Sequence, residues 1–338
     1  MIGLTSSGMA RIPLLASFLS DRVQLLRRFG VAAPVDAVAG WGAKPSGRRA
    51  VVAAQRLGVP VLFLEDGFLR SFGTGAHFPP LSVVVDTLGI YYDSTRPSSL
   101  EGLLESLDDV LVGIADEVMR AKALILEHRL SKYNHAPLLG ALPSQRSSHF
   151  NPLPLAGEGV ERVLVIDQTF GDMSVALGGA NEATFTAMLS AARAENPNAT
   201  IYVKTHPEVS AGKKGGYLTQ VQDDARTVAL RAAANPLSLI EQMDRVYVVT
   251  SIMGFEALLA GKPVSVFGLP WYAGWGATDD RQQCARRTRK RSVDELFAAA
   301  YFHYTRYLDP VTHERGTIFD VIEWLVRQLE MDARFVGE

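Results

Sequence analysis

The sequence predicts an α/β protein of two domains, each built around a sheet of parallel strands. Short apolar, β-rich segments alternate with longer segments of helical periodicity, and this alternation occurs twice. Residues 134–160 separate the two series, because they are rich in Pro, Ser, Gly and Asn and have no sustained periodicity. With 338 residues the chain is long enough for two domains of ordinary size. We therefore predict a first domain over 1–158 and a second over 159–338, with a cleft between them.

The first series has the order expected of βαβ units. It opens with a helix over 12–19 that carries Pro13 in its first turn. The elements that follow are a strand at 35–39, a loop at 40–47, a helix at 48–57, strands at 59–64 and 81–86, and helical periodicity over 98–130. This alternation predicts a parallel sheet.

The second series repeats the pattern. Its predicted strands are 162–166, 200–204, 246–250 and 263–267, and its predicted helices are 181–194, 237–243 and 255–260. Two more helices, over 292–307 and 317–335, are expected to close the second domain.

Composition excludes several classes of protein. A formal net charge of −2 gives no overall attraction for nucleic acid. A single cysteine, Cys284, excludes an intramolecular disulfide and a Cys-rich metal site, which fits a reducing compartment. No segment approaches the ~18 apolar residues that span a bilayer, so we expect a soluble chain and leave peripheral membrane contact open.

Residues 286–291 form the one strong basic block of the sequence. The favoured interpretation is a solvated surface. The alternative is attraction to anionic lipid headgroups.

Polar segments follow four of the predicted strands. They begin at Glu65-Asp66, which precedes Gly67 and Arg70, at 167–174, at 204–208 and at 250–256. Open α/β sheets bind ligands at the carboxyl ends of their strands, so these segments are the candidate sites. For the first segment the alternative is a surface turn in which Asp66 caps a helix.

The later segments have the residues of an anion site. Thr250-Ser251 precedes a predicted helix, where backbone N–H groups favour phosphate, and Glu256 lies one turn on, where a carboxylate can accept hydrogen bonds from a ribose. The alternative is a plain N-cap by Ser251. Lys204 and His206 are two positions apart at a strand end, so their side chains share a face of the strand. There we expect them to bind a phosphate or supply a proton. A structural histidine before Pro207 is the alternative.

A carboxylate pair is the candidate catalytic group. Asp172 lies in a glycine-flanked loop, where it either caps the following helix or acts with Glu65 across the cleft. Sugar transfer uses one carboxylate as nucleophile and another as acid/base. Aromatic side chains on Gly-rich loops either offer flat faces to a sugar or anchor the loops; they are Trp41, Trp271, Tyr272 and Trp275.

Several motifs spread over nearly the whole chain belong together. They are Gly8-Met9-Ala10-Arg11-Ile12-Pro13, Gly40-Trp41-Gly42 with Lys44-Pro45-Ser46, Leu64-Glu65-Asp66-Gly67-Phe68-Leu69-Arg70-Ser71, His206-Pro207, Gly254-Phe255-Glu256-Ala257-Leu258-Leu259 with Gly261-Lys262-Pro263-Val264, Tyr272-Ala273-Gly274-Trp275-Gly276 and Arg306-Tyr307-Leu308-Asp309-Pro310-Val311-Thr312. In this combination the sequence resembles the KpsC/LipA capsule-polysaccharide proteins.

The resemblance implies a retaining β-Kdo glycosyltransferase with two Rossmann-like domains facing a cleft, the GT-B-like arrangement. Such an enzyme moves Kdo from CMP-Kdo to a Kdo-primed (lyso)phosphatidylglycerol glycolipid in capsule biosynthesis, by double displacement. It is cytoplasmic and peripheral at the inner membrane, where inner-membrane lipids or capsule assembly proteins are further partners. The resemblance implies no cofactor and no nucleic acid partner. We also find no Asp-x-Asp pair suited to a divalent ion, so we expect no metal.

The resemblance also assigns residues. Asp172 falls on the nucleophile of a Gln-x-x-x-Asp-x-Ser segment, here Gln168 to Ser174, and Glu65 falls on the acid/base position. The donor side takes Gln168, Lys204, His206, Ser251, Glu256 and Tyr272, with His206 also counted as catalytic. We expect Trp41, Lys44, Asp66 and Arg70 on the acceptor side for a different reason: they belong to the first domain, and the implied acceptor is anionic through its Kdo carboxylates.

Two departures from the family pattern keep alternatives open. Thr169-Phe170-Gly171 stands where a more acidic pattern is expected, and many KpsC proteins carry two transferase units where this chain holds one. The alternatives are a GT-B transferase with another nucleotide sugar and a capsule assembly or export protein that binds glycolipid without turnover.

Overall fold

The structure is a computed structural model that describes residues 1–26, 34–75, 77–139, 160–206, 209, 212 and 214–336. The chain divides into two units. The first contains Met1–His135 and Asp294–Glu338, and the second contains Ala136–Val293. Each unit has its own sheet.

The first unit has seven strands among the described residues. They are β1 Ile2–Leu4, β2 Val23–Leu25, β3 Ala37–Trp41, β4 Val61–Asp66, β5 Ser82–Asp86, β12 Thr305–Leu308 and β13 Arg315–Gly316. Their order in the sheet is β13-β12-β5-β4-β3-β1-β2. The pairs among β1 to β4 are parallel, whereas β5 runs antiparallel to β4 and β12 runs antiparallel to β5.

The prediction of a wholly parallel first sheet is therefore wrong at β5. A parallel neighbour needs a crossover connection, usually a helix. Residues 67–81, which join β4 to β5, contain no helix within their described part, and the chain returns antiparallel.

Helices cover both the first and the last part of this unit. They are α1 Ser7–Ala10, α2 Leu15–Leu19, α3 Pro45–Leu57, α4 Ser99–Glu105, α5 Ala115–Glu127, α10 Val293–Phe297 and α11 Ile318–Val336, with a π-helical segment at Ala298–Tyr304. Pro13 was predicted inside a helix, but α2 begins only after Leu14, which has a left-handed backbone (φ 58°). The periodicity over 98–130 proves to be two helices.

The second unit has a six-stranded sheet among its described residues. The strands are β6 Arg162–Ile166, β7 Thr200–Lys204, β8 Thr227–Leu230, β9 Arg245–Val248, β10 Val264–Val266 and β11 Asp279–Asp280. Their order is β11-β10-β9-β6-β7-β8, and every pair is parallel, as predicted. The helices are α6 Met173–Leu177, α7 Glu182–Glu195, α8 Pro236–Ile240 and α9 Met253–Leu259.

The core of the second unit lies between its sheet and α7. Val163 and Val165 of β6 are fully buried against Phe185 and Met188 of α7. Burying a side chain of this size stabilises the fold by ~1.5–3 kcal/mol. In consequence the carboxyl ends of β6 and β9, which are neighbours in the sheet, are held rigidly.

The last part of the chain returns to the first sheet. We predicted 292–307 as a helix of the second domain, but Thr305–Leu308 is a strand whose Thr305 pairs with Val84 of β5. The Tyr304 hydroxyl, one residue earlier, donates to Oδ2 of buried Asp86 at 2.7 Å. The predicted boundary between 158 and 159 lies outside the described residues.

The basic block is more structural than solvated. Arg287 and Arg291 are buried, and Nη1 of Arg287 donates to the carbonyls of Pro270 and Ala273 at 2.6 and 2.7 Å. These bonds hold the loop that contains Trp275. The Arg287 guanidinium carbon lies 5.7 Å from the centre of the Trp275 ring.

The described helices include none long and apolar enough to cross a membrane.

Candidate functional site

The loop after β3 brings the backbone close to Glu65 in the first unit. Gly42 has φ +40°, and a β-carbon there would lie 2.1 Å from the Tyr92 hydroxyl and 2.8 Å from Glu65 Oε2. Both distances are too short for real atoms, so a side chain here would displace Tyr92 and Glu65, and the positive φ also favours glycine. This explains the second glycine of the Gly40-Trp41-Gly42 motif.

Glu65 is the penultimate residue of β4 rather than part of a turn. Its Oε1 accepts a hydrogen bond of 2.6 Å from the Trp41 indole Nε1, and its Oε2 accepts one of 3.3 Å from the Tyr92 hydroxyl. Tyr92 is itself fixed, because its oxygen accepts a bond of 3.0 Å from the Ala43 N–H. Both oxygens of Glu65 are therefore oriented by neighbours.

The electrostatics suit Glu65 to proton transfer. Burial raises the pKa of the Glu65 carboxyl above its ordinary value; Lys132 and the exposed Lys44 oppose the shift, and Asp66 adds to it. Burial lowers the pKa of Lys132, but Tyr91, Asp66, Tyr133 and Glu65 raise it above its ordinary value. A carboxyl whose pKa is moved toward neutrality can both give and take a proton.

Asp66 and Arg70 form an ion pair beside Glu65. Nε of Arg70 lies 2.9 Å from Asp66 Oδ1, and Nη1 of Arg70 donates to the Ser71 hydroxyl and the Phe78 carbonyl, each at 2.8 Å. The guanidinium also lies 5.7 Å above the Tyr133 ring. Asp66 caps no helix, and Arg70 holds the segment after β4 in place.

In the second unit the polar segments after β6 and β9 meet. From β6 the chain proceeds to β7 and β8 on one side of the sheet and then returns to β9 on the other side of β6. The strand order therefore reverses between β6 and β9, which is the position where open sheets bind ligands. Gln168 Oε1 accepts from the Thr250 N–H at 3.0 Å, and Gln168 Nε2 donates to Thr250 Oγ1 at 3.0 Å. Ser174 Oγ lies 3.1 Å from the same Thr250 hydroxyl.

Asp172 joins this cluster and also caps a helix. Its Oδ1 accepts from the Ser174 N–H at 2.9 Å, the N-cap bond of α6. Its Oδ2 accepts a long bond of 3.4 Å from Gln168 Nε2, and the side chain is half-buried. One oxygen thus fixes the orientation of the carboxylate while the other is only weakly held.

Lys204 and His206 do not act as an open pair. Lys204 is buried, and its ammonium donates to the carbonyls of Thr205 and Ala232 at 3.0 and 3.1 Å. Burial lowers its pKa to about 8. His206 lies two residues beyond β7, partly exposed, and its carbonyl accepts from the Val209 N–H at 2.9 Å. Lys204 therefore secures the strand end from which His206 extends.

Ser251, Glu256 and Tyr272 surround the start of α9. The Ser251 hydroxyl accepts from the Met253 N–H at 3.3 Å, but the N-cap residue of α9 is Ile252, so Ser251 is not the N-cap that the alternative interpretation required. Glu256 keeps only 3% of its surface and Tyr272 none. The Tyr272 hydroxyl donates to the Ser251 carbonyl, and burial, then the charges of Asp280 and Glu256, raises its pKa well above the ordinary value.

Tyr272 is fully buried, so of the two interpretations left open for it the loop anchor holds, and its ring offers no face to a sugar. Trp271 and Trp275 are buried as well and anchor their loop. Tyr272 instead supports the Ser251–Gly254 turn from below, since a β-carbon on Gly254 would lie 2.2 Å from its hydroxyl. Trp41 is only partly buried, and its indole Nε1 donates to the predicted acid/base Glu65.

Asp167 is a residue whose importance the sequence did not signal. It is 1% exposed, its Oδ1 accepts from the N–H groups of Gln168 and Leu218 at 2.9 and 3.0 Å, and its Oδ2 has no hydrogen-bond partner among the described residues. Burial raises its pKa to about 6, against backbone bonds that lower it. It fastens the segment that carries Gln168 to the one that carries Leu218.

Lys132 and Tyr92 were also missed. Each lies far in sequence from Glu65, and Ser131-Lys132-Tyr133 carries no motif that would single out the lysine. The described residues contain no group of three or more His, Cys, Asp or Glu side chains placed to hold a metal ion.

Comparison with known proteins identifies the family. Residues 36–307 match the family described as "Capsule polysaccharide biosynthesis protein". "Capsule polysaccharide modification protein LipA" of Neisseria meningitidis serogroup A is 46% identical over 343 residues, which cover 99% of this chain and 47% of that protein. The chain thus spans about half the length of this curated relative.

Two solved structures are similar over their whole length. Thermosulfurimonas dismutans KpsC, beta Kdo 2,4 transferase, shares 46% identity with a TM-score of 0.85 and covers 96% of this chain and 97% of that one. The beta Kdo 2,7 transferase of the same KpsC shares 28% identity with a TM-score of 0.67 and covers 97% and 98%. The KpsC/LipA resemblance read from the motifs is confirmed, and the chain belongs to the capsule polysaccharide biosynthesis protein family.

Proposed function

We propose that this chain is a retaining β-Kdo transferase that moves Kdo from CMP-Kdo to a Kdo-primed (lyso)phosphatidylglycerol glycolipid in capsule biosynthesis. The observation that carries the proposal is the likeness to the beta Kdo 2,4 transferase of KpsC over almost the full length of both chains. Identity to the beta Kdo 2,7 transferase is much lower, 28% against 46%. We therefore also propose a 2,4 linkage in the product.

The reaction proceeds in two displacements. A carboxylate oxygen of Asp172 bonds to the anomeric carbon of Kdo as the bond from that carbon to the CMP phosphate oxygen breaks, and the electron pair leaves with CMP. The acceptor hydroxyl then bonds to the same carbon, the bond to Asp172 breaks, and the hydroxyl proton passes to Glu65. The weakly held Oδ2 of Asp172 and the raised pKa of Glu65 support these roles.

The donor side belongs to the second unit. His206 and the Ser251 hydroxyl bind the CMP phosphate, Glu256 binds the ribose, and Gln168 orients Asp172. Lys204 and Tyr272 support these residues from beneath, as their burial indicates. Because charge on the leaving phosphate can be stabilised by such donors, the reaction needs no metal.

The acceptor side belongs to the first unit. Lys44 and Arg70 attract the carboxylates of the Kdo primer, since a guanidinium can meet a carboxylate with two hydrogen bonds. Asp66 holds Arg70 in position, and Trp41 orients Glu65. We place the enzyme at the cytoplasmic face of the inner membrane, where a lipid-linked acceptor is found.

Incubation of the chain with CMP-Kdo and a synthetic Kdo-primed acceptor tests the proposal. Release of CMP with a mass gain of one Kdo on the acceptor is expected, and NMR should show a β-2,4 linkage. Thermal shifts with CMP, UDP and GDP show which nucleotide the fold binds, because a ligand of the folded state raises its melting temperature. A shift with UDP alone would favour another nucleotide sugar, and binding of CMP-Kdo without turnover would favour a glycolipid-binding assembly protein.

A further inference from the structure

We propose that the first unit has a binding site for an anionic single-chain lipid, formed by the guanidinium groups of Arg306 and Arg315 and by the apolar pocket beside them. The site is argued from the geometry of the first unit, and its assignment to the lipid end of the acceptor rests on the proposed function. Its ligand has a phosphate on the arginine pair and one acyl chain in the pocket.

The arginine pair carries an uncompensated double charge. Nη1 of Arg306 and Nη1 of Arg315 donate to the same acceptor, the Phe18 carbonyl, at 3.3 and 2.9 Å. Among the described residues neither arginine has a carboxylate within ion-pair distance. Burial lowers the pKa of both, and the charge of Arg306 lowers that of Arg315 further. An anion at this position would relieve the repulsion.

Most N–H donors of the pair are not bound within the described part of the protein, and because Arg315 is exposed a ligand can reach them. A guanidinium has five N–H donors in a planar fork, and the Phe18 carbonyl accounts for one on each arginine. The remaining donors suit phosphate oxygens, which arginine binds with two parallel hydrogen bonds. Capping the end of α2 therefore explains only part of why two arginines are here.

The pocket next to the pair has mainly apolar walls. It has a volume of about 260 Å³, and its walls include Leu14, Phe78, Leu308 and Trp324; its polar wall residues are Ser71, His77, His313 and Gln328. Leu14, one of these wall residues, is 37% exposed. Drug-sized ligands occupy pockets of about 300–1,000 Å³, so this one has room for a single chain segment.

Leu308 joins the two features. It lines the pocket, it is the cross-strand partner of Arg315, and Arg306 is the next residue of β12 on the same face, about 7 Å away. Leu14 and Phe18 make a second link, since the Phe18 N–H donates to the Leu14 carbonyl one helical turn earlier. A free phosphate would leave the pocket empty, and a neutral chain would leave the arginines uncompensated, so one amphiphile satisfies both.

Calorimetry with a monoacyl phosphate below its micelle concentration tests the proposal, with lysophosphatidylcholine of the same chain and inorganic phosphate as the other probes. The monoacyl phosphate should bind at least tenfold more tightly than either. Each added CH₂ should improve affinity roughly fourfold until the pocket is full. Arg315→Ala should weaken binding about 10- to 100-fold, the effect of losing a charged hydrogen-bond donor.

Arg327→Ala is the matched control, because it removes an exposed arginine of the same unit that pairs with Glu323. Its affinity for the monoacyl phosphate should equal that of the wild type. Gln328→Trp should fill the pocket and so abolish the dependence of affinity on acyl-chain length. Both Arg327→Ala and Gln328→Trp should keep the thermal shift that CMP gives with the wild type. Absence of binding to wild type, equal affinity for inorganic phosphate, or equal losses in Arg315→Ala and Arg327→Ala would each overturn the proposal.

Discussion

The indole Nε1 of Trp41 donates a 2.6 Å hydrogen bond to Oε1 of Glu65, and this bond joins the ends of β3 and β4. Burial drives the pKa of Glu65 up, whereas an N–H donor favours the ionised carboxylate. The two effects oppose each other, so Trp41 limits how far the pKa of Glu65 rises. The bond therefore connects the Gly-Trp-Gly loop to the proton transfer that we assign to Glu65.

Replacing Trp41 by Phe should move the pH profile of transfer. Loss of the indole donor raises the pKa of Glu65, so the acidic limb of the kcat/KM profile should shift upward by about one pH unit. Tyr92→Phe removes the longer 3.3 Å bond and should shift the limb less, in the same direction. Profiles that superimpose on the wild type for both variants would argue against Glu65 as the acid/base.

Gly42→Ala should impair both stability and transfer. The added methyl meets Tyr92 and Glu65 at impossible distances and forces a residue with a side chain into positive φ. We expect a loss of about 1–3 kcal/mol in the free energy of unfolding and a marked loss of transfer rate.

Gly58→Ala separates the backbone effect from the clash. Gly58 also has positive φ, +67°, but a β-carbon there meets nothing within 4 Å. The free energy of unfolding of this variant should fall by about 1 kcal/mol, and its transfer rate should equal that of the wild type. Equal losses of activity in the two variants would mean that Gly42 matters only for the backbone.

The sequence was sufficient to place the site segments. Glu65, Gln168, His206 and Ser251 were all predicted at or just beyond strand ends, and the structure confirms each position. Periodicity and turn residues report local structure, and the carboxyl ends of parallel strands must lie at one edge of a sheet. Positions that depend on strand order alone were therefore predictable.

What the sequence missed depends on long-range pairing. The segment at 305–308 continues an apolar helical pattern, and only its pairing with β5 makes it a strand. Likewise nothing near Lys132 or Asp167 in sequence indicates that the folded chain places the first beside Glu65 and bonds the second to the Leu218 N–H. Burial of Tyr272 was left open because an aromatic residue in a Gly-rich loop looks the same in sequence whether it anchors the loop or faces solvent.

Asp167 should make stability depend on pH. Its folded pKa of about 6 lies above the ordinary value of 3.8, so between these values the folded state holds more protons than the unfolded chain. Stability from this group is complete below pH 3.8 and is lost as the pH rises through 6, by about 3 kcal/mol for a two-unit shift.

Urea denaturation of Asp167→Asn and wild type at pH 4.5 and 7.5 measures this effect. Between these two pH values the free energy of unfolding of the wild type should fall by about 2 kcal/mol relative to that of the variant, because part of the stabilisation from Asp167 is already lost at pH 4.5. Asp108→Asn, which removes an exposed carboxyl, should show no such change. A pH-independent difference between Asp167→Asn and wild type would show that the carboxyl titrates normally.

Glu256→Ala should weaken CMP binding by about 1–3 kcal/mol, because a charged hydrogen-bond acceptor for the ribose is lost. Glu182→Ala removes an exposed first-turn acid from α7 of the same unit and serves as the control. Calorimetry at constant ionic strength compares the two. Unchanged CMP affinity in a folded Glu256→Ala protein would remove Glu256 from the donor site.

The central claim is that Asp172 receives Kdo from CMP-Kdo before the sugar reaches the acceptor. Glu65→Gln should slow the second displacement by ~10² to 10⁴, because proton removal from the acceptor is lost, and should let the glycosyl-enzyme accumulate. Peptide mass spectrometry of this variant after incubation with CMP-Kdo and acceptor is the most direct measurement. We predict a mass gain of one Kdo on the peptide that contains Asp172, and none in Glu65→Gln with Asp172→Ala. An adduct that maps to Asp167, or transfer by Asp172→Ala at the wild-type rate, would contradict the account.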